Sequence, residues 1–110
     1  MSTTTADFLL ERLSNWGVRR IYGYPGDGIN GIMGALDRHS DRVEFIQVRH
    51  EEMAAFNACA HAKFTGEVGV CLATSGPGAI HLLNGLWGYP SNRTRGRARS
   101  GPARTCESVP

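Results

Sequence analysis

Apolar residues in this chain switch between helical and strand spacing several times, and that alternation limits what the chain can fold into. Thr4 and Asp7 have the spacing of a capping box. Ala6, Leu9, Leu10, Leu13 and Trp16 then recur at helical intervals until Gly17 offers a stop, which predicts a helix over residues 5–16. "VRRIYGY" reads as a short strand, and "PGDG" breaks it with a turn. Ile29, Ile32, Met33 and Leu36 predict a second helix, and "RVEFIQV" a second strand. Met53, Phe56, Ala60 and Phe64 are expected to form one face of a third helix, whose alanines let it lie close against a sheet. "EVGVCLA" is apolar without alternation, as a parallel strand covered on both faces must be. Ala79, Leu82, Leu83 and Leu86 stripe a fourth helix, whose first turn accepts Pro77.

One helix followed by three strand–helix pairs, with short connections, implies an α/β domain. The expected architecture is a three-layer αβα arrangement with a parallel sheet. Ligands of such sheets meet the loops at the carboxyl ends of the strands, here "GYPGDG", "VRHEE" and "TSGPG". The pattern covers residues 1–87. Beyond it, residues 88–110 hold five arginines among repeated Gly, Pro and Ser, with Val109 as the only aliphatic residue besides an alanine or two. Such a stretch buries too little apolar surface to offset its ordering entropy, so a disordered tail is expected.

A chain of 110 residues has room for one domain with a core. Residues 1–87 carry seven Lys/Arg against nine Asp/Glu, and the tail five Arg against Glu107, so basic character is confined to the tail. "RTRGRAR" has no interleaved aromatic residue to stack on bases, and specific nucleic-acid binding is not expected. No run of 18 apolar residues could span a bilayer, and "MSTTTADFLLER" lacks the basic and long apolar segments of a secretory signal. A cytoplasmic location is the expectation. Cys59, Cys71 and Cys106 are far apart and in no CxxC pair, which points to neither a disulfide framework nor a zinc site.

Each strand-end loop supports a functional and a structural reading. Glu51 and Glu52 open a helix, where negative charge interacts favourably with the dipole by about 0.3–1 kcal/mol. That suffices for Glu52; Glu51, directly after the strand, stands where the loops converge and can point toward a ligand. His50 alone reads as a solvated or helix-capping group. "TSGPG" offers backbone N–H groups to an anion or a ring edge, yet lacks the Lys and Ser/Thr of a Walker loop. "GDGIN" imitates the start of a magnesium–diphosphate motif, but Asn30 follows at once where that motif needs a distant Asn, so no metal site is assigned.

Taken in order, "GVRRIYGYPGDGING" and "RHEEMAAFNACAHAKFTGEVGVCLATSGPGAIHLLNGL" resemble the N-terminal pyrimidine-binding domain of thiamine diphosphate-dependent enzymes. Within that family they are most similar to the pyruvate oxidase and acetolactate synthase group. The resemblance implies that Glu51 hydrogen-bonds N1′ of the aminopyrimidine and, by sharing a proton there, promotes loss of the thiazolium C2 proton. It implies that Pro25 and Gly26 lie against the pyrimidine, and that Thr74, Ser75, Gly76, Pro77 and Gly78 form a loop beside cofactor or substrate. Asp27 and His50 become candidates for the substrate side.

The same resemblance implies a 2-keto acid substrate and a homo-oligomer in the complete enzyme. Thiamine diphosphate would be the cofactor, its Mg²⁺ held with the diphosphate by a C-terminal domain of a partner subunit, and FAD by a middle domain in the oxidase group. No counterpart of those domains is present, and the pyrimidine domain stops short of its usual further strands. A truncated fragment, inactive alone, is therefore expected, with an unpaired sheet edge prone to aggregation. The alternatives are a noncatalytic module that pairs with a full-length relative, and an unrelated flavodoxin-like domain that binds flavin or nucleotide by itself.

Overall fold

The computed structural model describes residues 3–87 and 103–106, with side chains described through Gly85. Helix α1 (Thr5–Asn15) starts at the expected capping box: Thr4 accepts from the Asp7 N–H, and the Asp7 carboxylate accepts from the Thr4 N–H. Gly17 follows with a φ of 91°, a left-handed conformation that a residue with a Cβ adopts at a cost. Strand β1 (Arg20–Gly23), a short 3₁₀ turn (Asp27–Ile29), α2 (Asn30–Arg38), β2 (Glu44–Gln47), α3 (Glu51–Thr65), β3 (Gly69–Leu72) and α4 (Pro77–Trp87) complete the predicted succession.

The sheet order is β2-β1-β3, all parallel, and a fourth strand, β4 (Ala103–Cys106), runs antiparallel to β3 at the far edge. That strand falls within the stretch expected to lack structure. Residues 88–102 and 107–110 of the same stretch, and the Leu86 side chain of the predicted α4 stripe, lie outside the described residues. The edge of β3 that a sheet of three strands would leave open is thus paired.

Alternation along the strands divides the core into two layers. Ile21, Val70 and Leu72 face one side, where they pack with Leu10, Leu13, Ile29, Ala35 and Leu36 of the α1 and α2 region. Cys71 and Ala73 face the other side and pack with Ala54, Ala55, Ala58, Cys59 and Leu82 of α3 and α4. Sheet covered on both faces by helices is the three-layer αβα arrangement, and all four residues of β3 are buried as its apolar run requires. Leu10, Leu72 and Leu82 are 1 % exposed, and each such side chain contributes roughly 1.5–3 kcal/mol of burial.

The third helix differs from its predicted face. Met53 and Phe64 are 49 % and 92 % exposed, whereas the buried face is Ala54, Ala55, Ala58, Cys59 and Ala62. Close approach explains this. A Cβ on Gly69 of β3 would collide with the Ala58 carbonyl, and one on Gly85 of α4 with the Ala55 methyl, so only small residues fit on either side of α3. Its large apolar residues are displaced outward. Trp16, placed on the buried stripe of α1 by spacing, is likewise exposed, at the C-cap beyond the helix.

Candidate functional site

Because β1, β2 and β3 are parallel, the segments after Gly23, Gln47 and Leu72 all leave the same end of the sheet. The chain moves from β1 to β2 on one side and then crosses back to β3 on the other, so the strand order reverses at β1. Crevices for ligands form at such reversals. The loops after β1 and β3 meet there. A Cβ on Gly26 would stand 2.6 Å from the Thr74 Cβ, so backbone and the Thr74 side chain are in direct contact. Pro25, Gly26 and Thr74 are partly buried, while Asp27 and Ser75 are exposed. Gly76 turns the second loop with a φ of 75°, which presents Pro77 and Gly78 as the first residues of α4.

Glu51 is the first residue of α3, and its side chain is 15 % exposed. His50, in extended conformation, caps the helix: its Nδ1 accepts from the Glu52 N–H at 3.1 Å. The Glu51 Oε2 lies 3.1 Å from Nδ1 of His81, one turn into α4, and its Oε1 would be 3.3 Å from a Cβ on Gly78. Gly78 and Thr74 are neighbours too, since that same Cβ would meet Thr74 Cγ2 at 3.2 Å. Gly26, Thr74, Gly78 and Glu51 therefore form a continuous chain of contacts, and the His50 ring lies 4.4 Å from the His81 ring at the same corner. Asp27 stands at the exposed start of the 3₁₀ turn.

Burial opposes ionisation of Glu51 more than any other single influence acts on it. The hydrogen bonds from its own backbone N–H and from His81, with the electrostatic influence of His81 and His50, together outweigh that and hold the carboxyl below its ordinary value. It is an anion at neutral pH, largely enclosed, with one oxygen committed to His81 and the other close against Gly78.

Two site residues escape a reading of the sequence. His81 appears only as a polar interruption of the apolar run "AIHLLNGL", and nothing local to α4 says that it reaches the start of α3. Asn84 is similar: its Nδ2 donates to Glu52 Oε2 at 3.3 Å, tying Glu52 to α4 as His81 ties Glu51.

A parallel α/β domain with a carboxylate at a helix start, enclosed by glycine-rich strand-end loops, defines a class of cofactor-binding domain. The chain belongs to the thiamine pyrophosphate enzyme family, and residues 3–95 match the N-terminal TPP-binding domain of that family. It is 47 % identical over 103 residues to the protein YdaP of Bacillus subtilis, an alignment covering 89 % of this chain and 18 % of that one. It is 52 % identical over 79 residues to pyruvate oxidase of Lactiplantibacillus plantarum, covering 72 % and 13 % of the two chains. With the acetolactate synthase isozyme 2 large subunit of Escherichia coli it shares 43 % identity over 81 residues, covering 74 % and 14 %. The chain thus spans less than a fifth of the length of these relatives. No described helix is long and apolar enough to cross a membrane.

Proposed function

We propose that this chain is the pyrimidine-binding part of a thiamine diphosphate-dependent enzyme of the pyruvate oxidase or acetolactate synthase type, acting on 2-keto acids. The single observation that carries the reading is the partly enclosed, ionised Glu51 carboxylate held against Gly78, at the corner where the loops after β1 and β3 meet. Such a carboxylate is the partner that a basic nitrogen of a flat heteroaromatic ring needs. When bound, thiamine diphosphate supplies the electron sink for decarboxylation. Glu51 would hold a proton at N1′, His81 would fix the carboxylate's orientation through Oε2, and the Gly26–Thr74–Gly78 contact would keep water from the ring's faces. Pro25, Ser75, Gly76 and Pro77 would complete the backbone around the ring, and His50 and Asp27 would stand on the substrate side.

Among the described residues none is assigned to diphosphate, its Mg²⁺ or FAD. In this reading they belong to other domains, the first two on a partner subunit of a homo-oligomer, and the isolated chain does not turn over. The test is a hybrid in which residues 1–87 replace the matching segment of the L. plantarum pyruvate oxidase. Positioned proton transfer contributes about 10²–10⁴-fold, so Glu51→Gln should slow C2 proton exchange of the bound cofactor by that factor. Equal exchange rates in the two hybrids would remove Glu51 from the role.

A further inference from the structure

The corner where α3 begins against α4 holds a second kind of chemistry. His50, Glu51 and His81 each offer a ligand atom, and the three atoms lie within 4.8 Å of one another. The 3.1 Å between His81 Nδ1 and Glu51 Oε2 is close to the spacing of two ligands on one small ion. With metal–ligand bonds of about 2.0–2.2 Å and a tetrahedral angle, two ligand atoms stand roughly 3.3–3.6 Å apart. The His50 ring completes the group, 4.4 Å from that of His81 and tilted by 33°. Helices α3 and α4, which carry Glu51 and His81, touch backbone to side chain at Gly85 and Ala55, which fixes the spacing between them.

We propose that His50, Glu51 and His81 form a binding site for one transition-metal ion of the zinc type, with remaining coordination positions open to water. Two imidazoles and one carboxylate select such an ion over Mg²⁺ or Ca²⁺, which prefer all-oxygen sets. The carboxylate offsets the positive end of the α3 dipole, which by itself would repel a cation. A ligating His50 Nδ1 exchanges its hydrogen bond from the Glu52 N–H for the metal bond, and the ion replaces the proton between His81 and Glu51. The inference goes beyond the cofactor reading and does not depend on it, although both use Glu51.

The test titrates the full 110-residue chain with Zn²⁺ by calorimetry and with Co²⁺ by visible absorption, with no thiamine compound present. One ion per chain at micromolar affinity is expected, with the Co²⁺ absorption of a four- or five-coordinate site. His81→Ala and His50→Ala should each weaken binding at least tenfold, and Cys106→Ser should leave it unchanged. Circular dichroism checks that each variant is folded, and His81→Asn and His50→Asn serve where an alanine variant is not. Absence of binding up to millimolar Zn²⁺, or binding that folded His81 and His50 variants retain in full, would overturn the proposal, as would its loss in Cys106→Ser.

Discussion

Asp7 Oδ1 accepts from both Nε and Nη2 of Arg38, at 3.1 and 2.9 Å, and so clamps the first turn of α1 to the last turn of α2. The same oxygen lies 3.1 Å from Nε2 of His39, while Oδ2 serves the capping box with Thr4. One nearly buried carboxylate thus holds together the two helices that cover one face of the sheet.

This makes stability depend on pH in the acid range. Hydrogen bonds from the Thr4 backbone and hydroxyl, then from Arg38 and His39, hold the Asp7 carboxyl far below its ordinary value against the opposing effect of burial. A carboxyl whose pKa is lower in the folded chain stabilises the fold above its unfolded pKa, roughly 3.9, and loses that contribution as pH falls through the folded value. Urea midpoints should therefore fall steadily below about pH 4. Asp7→Asn should be less stable at pH 7 and show a flatter acid limb. An equal acid slope in both proteins would remove Asp7 as the cause.

On α3, the exposed and buried faces make opposite predictions. Ala58→Leu forces extra volume between α3 and β3 and should cost about 1–3 kcal/mol or more in chemical denaturation. Phe64→Ser, on the solvent face, should stay within about 0.5 kcal/mol. A larger loss for Phe64 than for Ala58 would return the helix to the face its large residues suggest.

Gly78 separates site from fold. In the hybrid enzyme described above, Gly78→Ala places a methyl 3.3 Å from Glu51 Oε1 and 3.2 Å from Thr74 Cγ2. Crowding of about 1 kcal/mol is offset by the helix propensity that alanine adds, so the melting temperature should scarcely move. The concentration of thiamine diphosphate needed for half-maximal activity should rise about tenfold. No change in that concentration would show that the space beside Gly78 is not used.

The isolated chain should bind thiamine diphosphate only weakly. A charge-assisted hydrogen bond at Glu51 nets about 1.5–3 kcal/mol, and partial burial of one small ring adds a similar amount. Against the cost of association this leaves affinity on the order of millimolar or worse. Calorimetry with Mg²⁺ present checks it, and micromolar binding would contradict it.

Local signals carried much of this fold. The Thr4–Asp7 capping box, the apolar run of β3 and the Gly–Pro loop before α4 each act over a few residues, and the structure has each where spacing puts it. The parallel order followed from alternation of elements. Packing between elements was less legible. On α3 the large apolar residues suggested the buried face, but Gly69 and Gly85 bring the neighbouring backbones so near that alanines alone fit. Strand β4 draws on the open hydrogen-bonding edge of β3, which no pattern within "ARTC" announces. Within the site, Glu51 stood out by its place after β2, whereas His81 depends on how α4 lies across the start of α3.

The contact between Gly69 and the Ala58 carbonyl has a consequence for how this chain can vary. A hydrogen atom is all that the backbone of α3 leaves room for at that point of β3, and both partners are main chain that no rotamer change can move. In a saturation library selected for soluble, folded protein, position 69 should therefore return glycine alone, while positions 53 and 64 on the far side of the same helix drift freely.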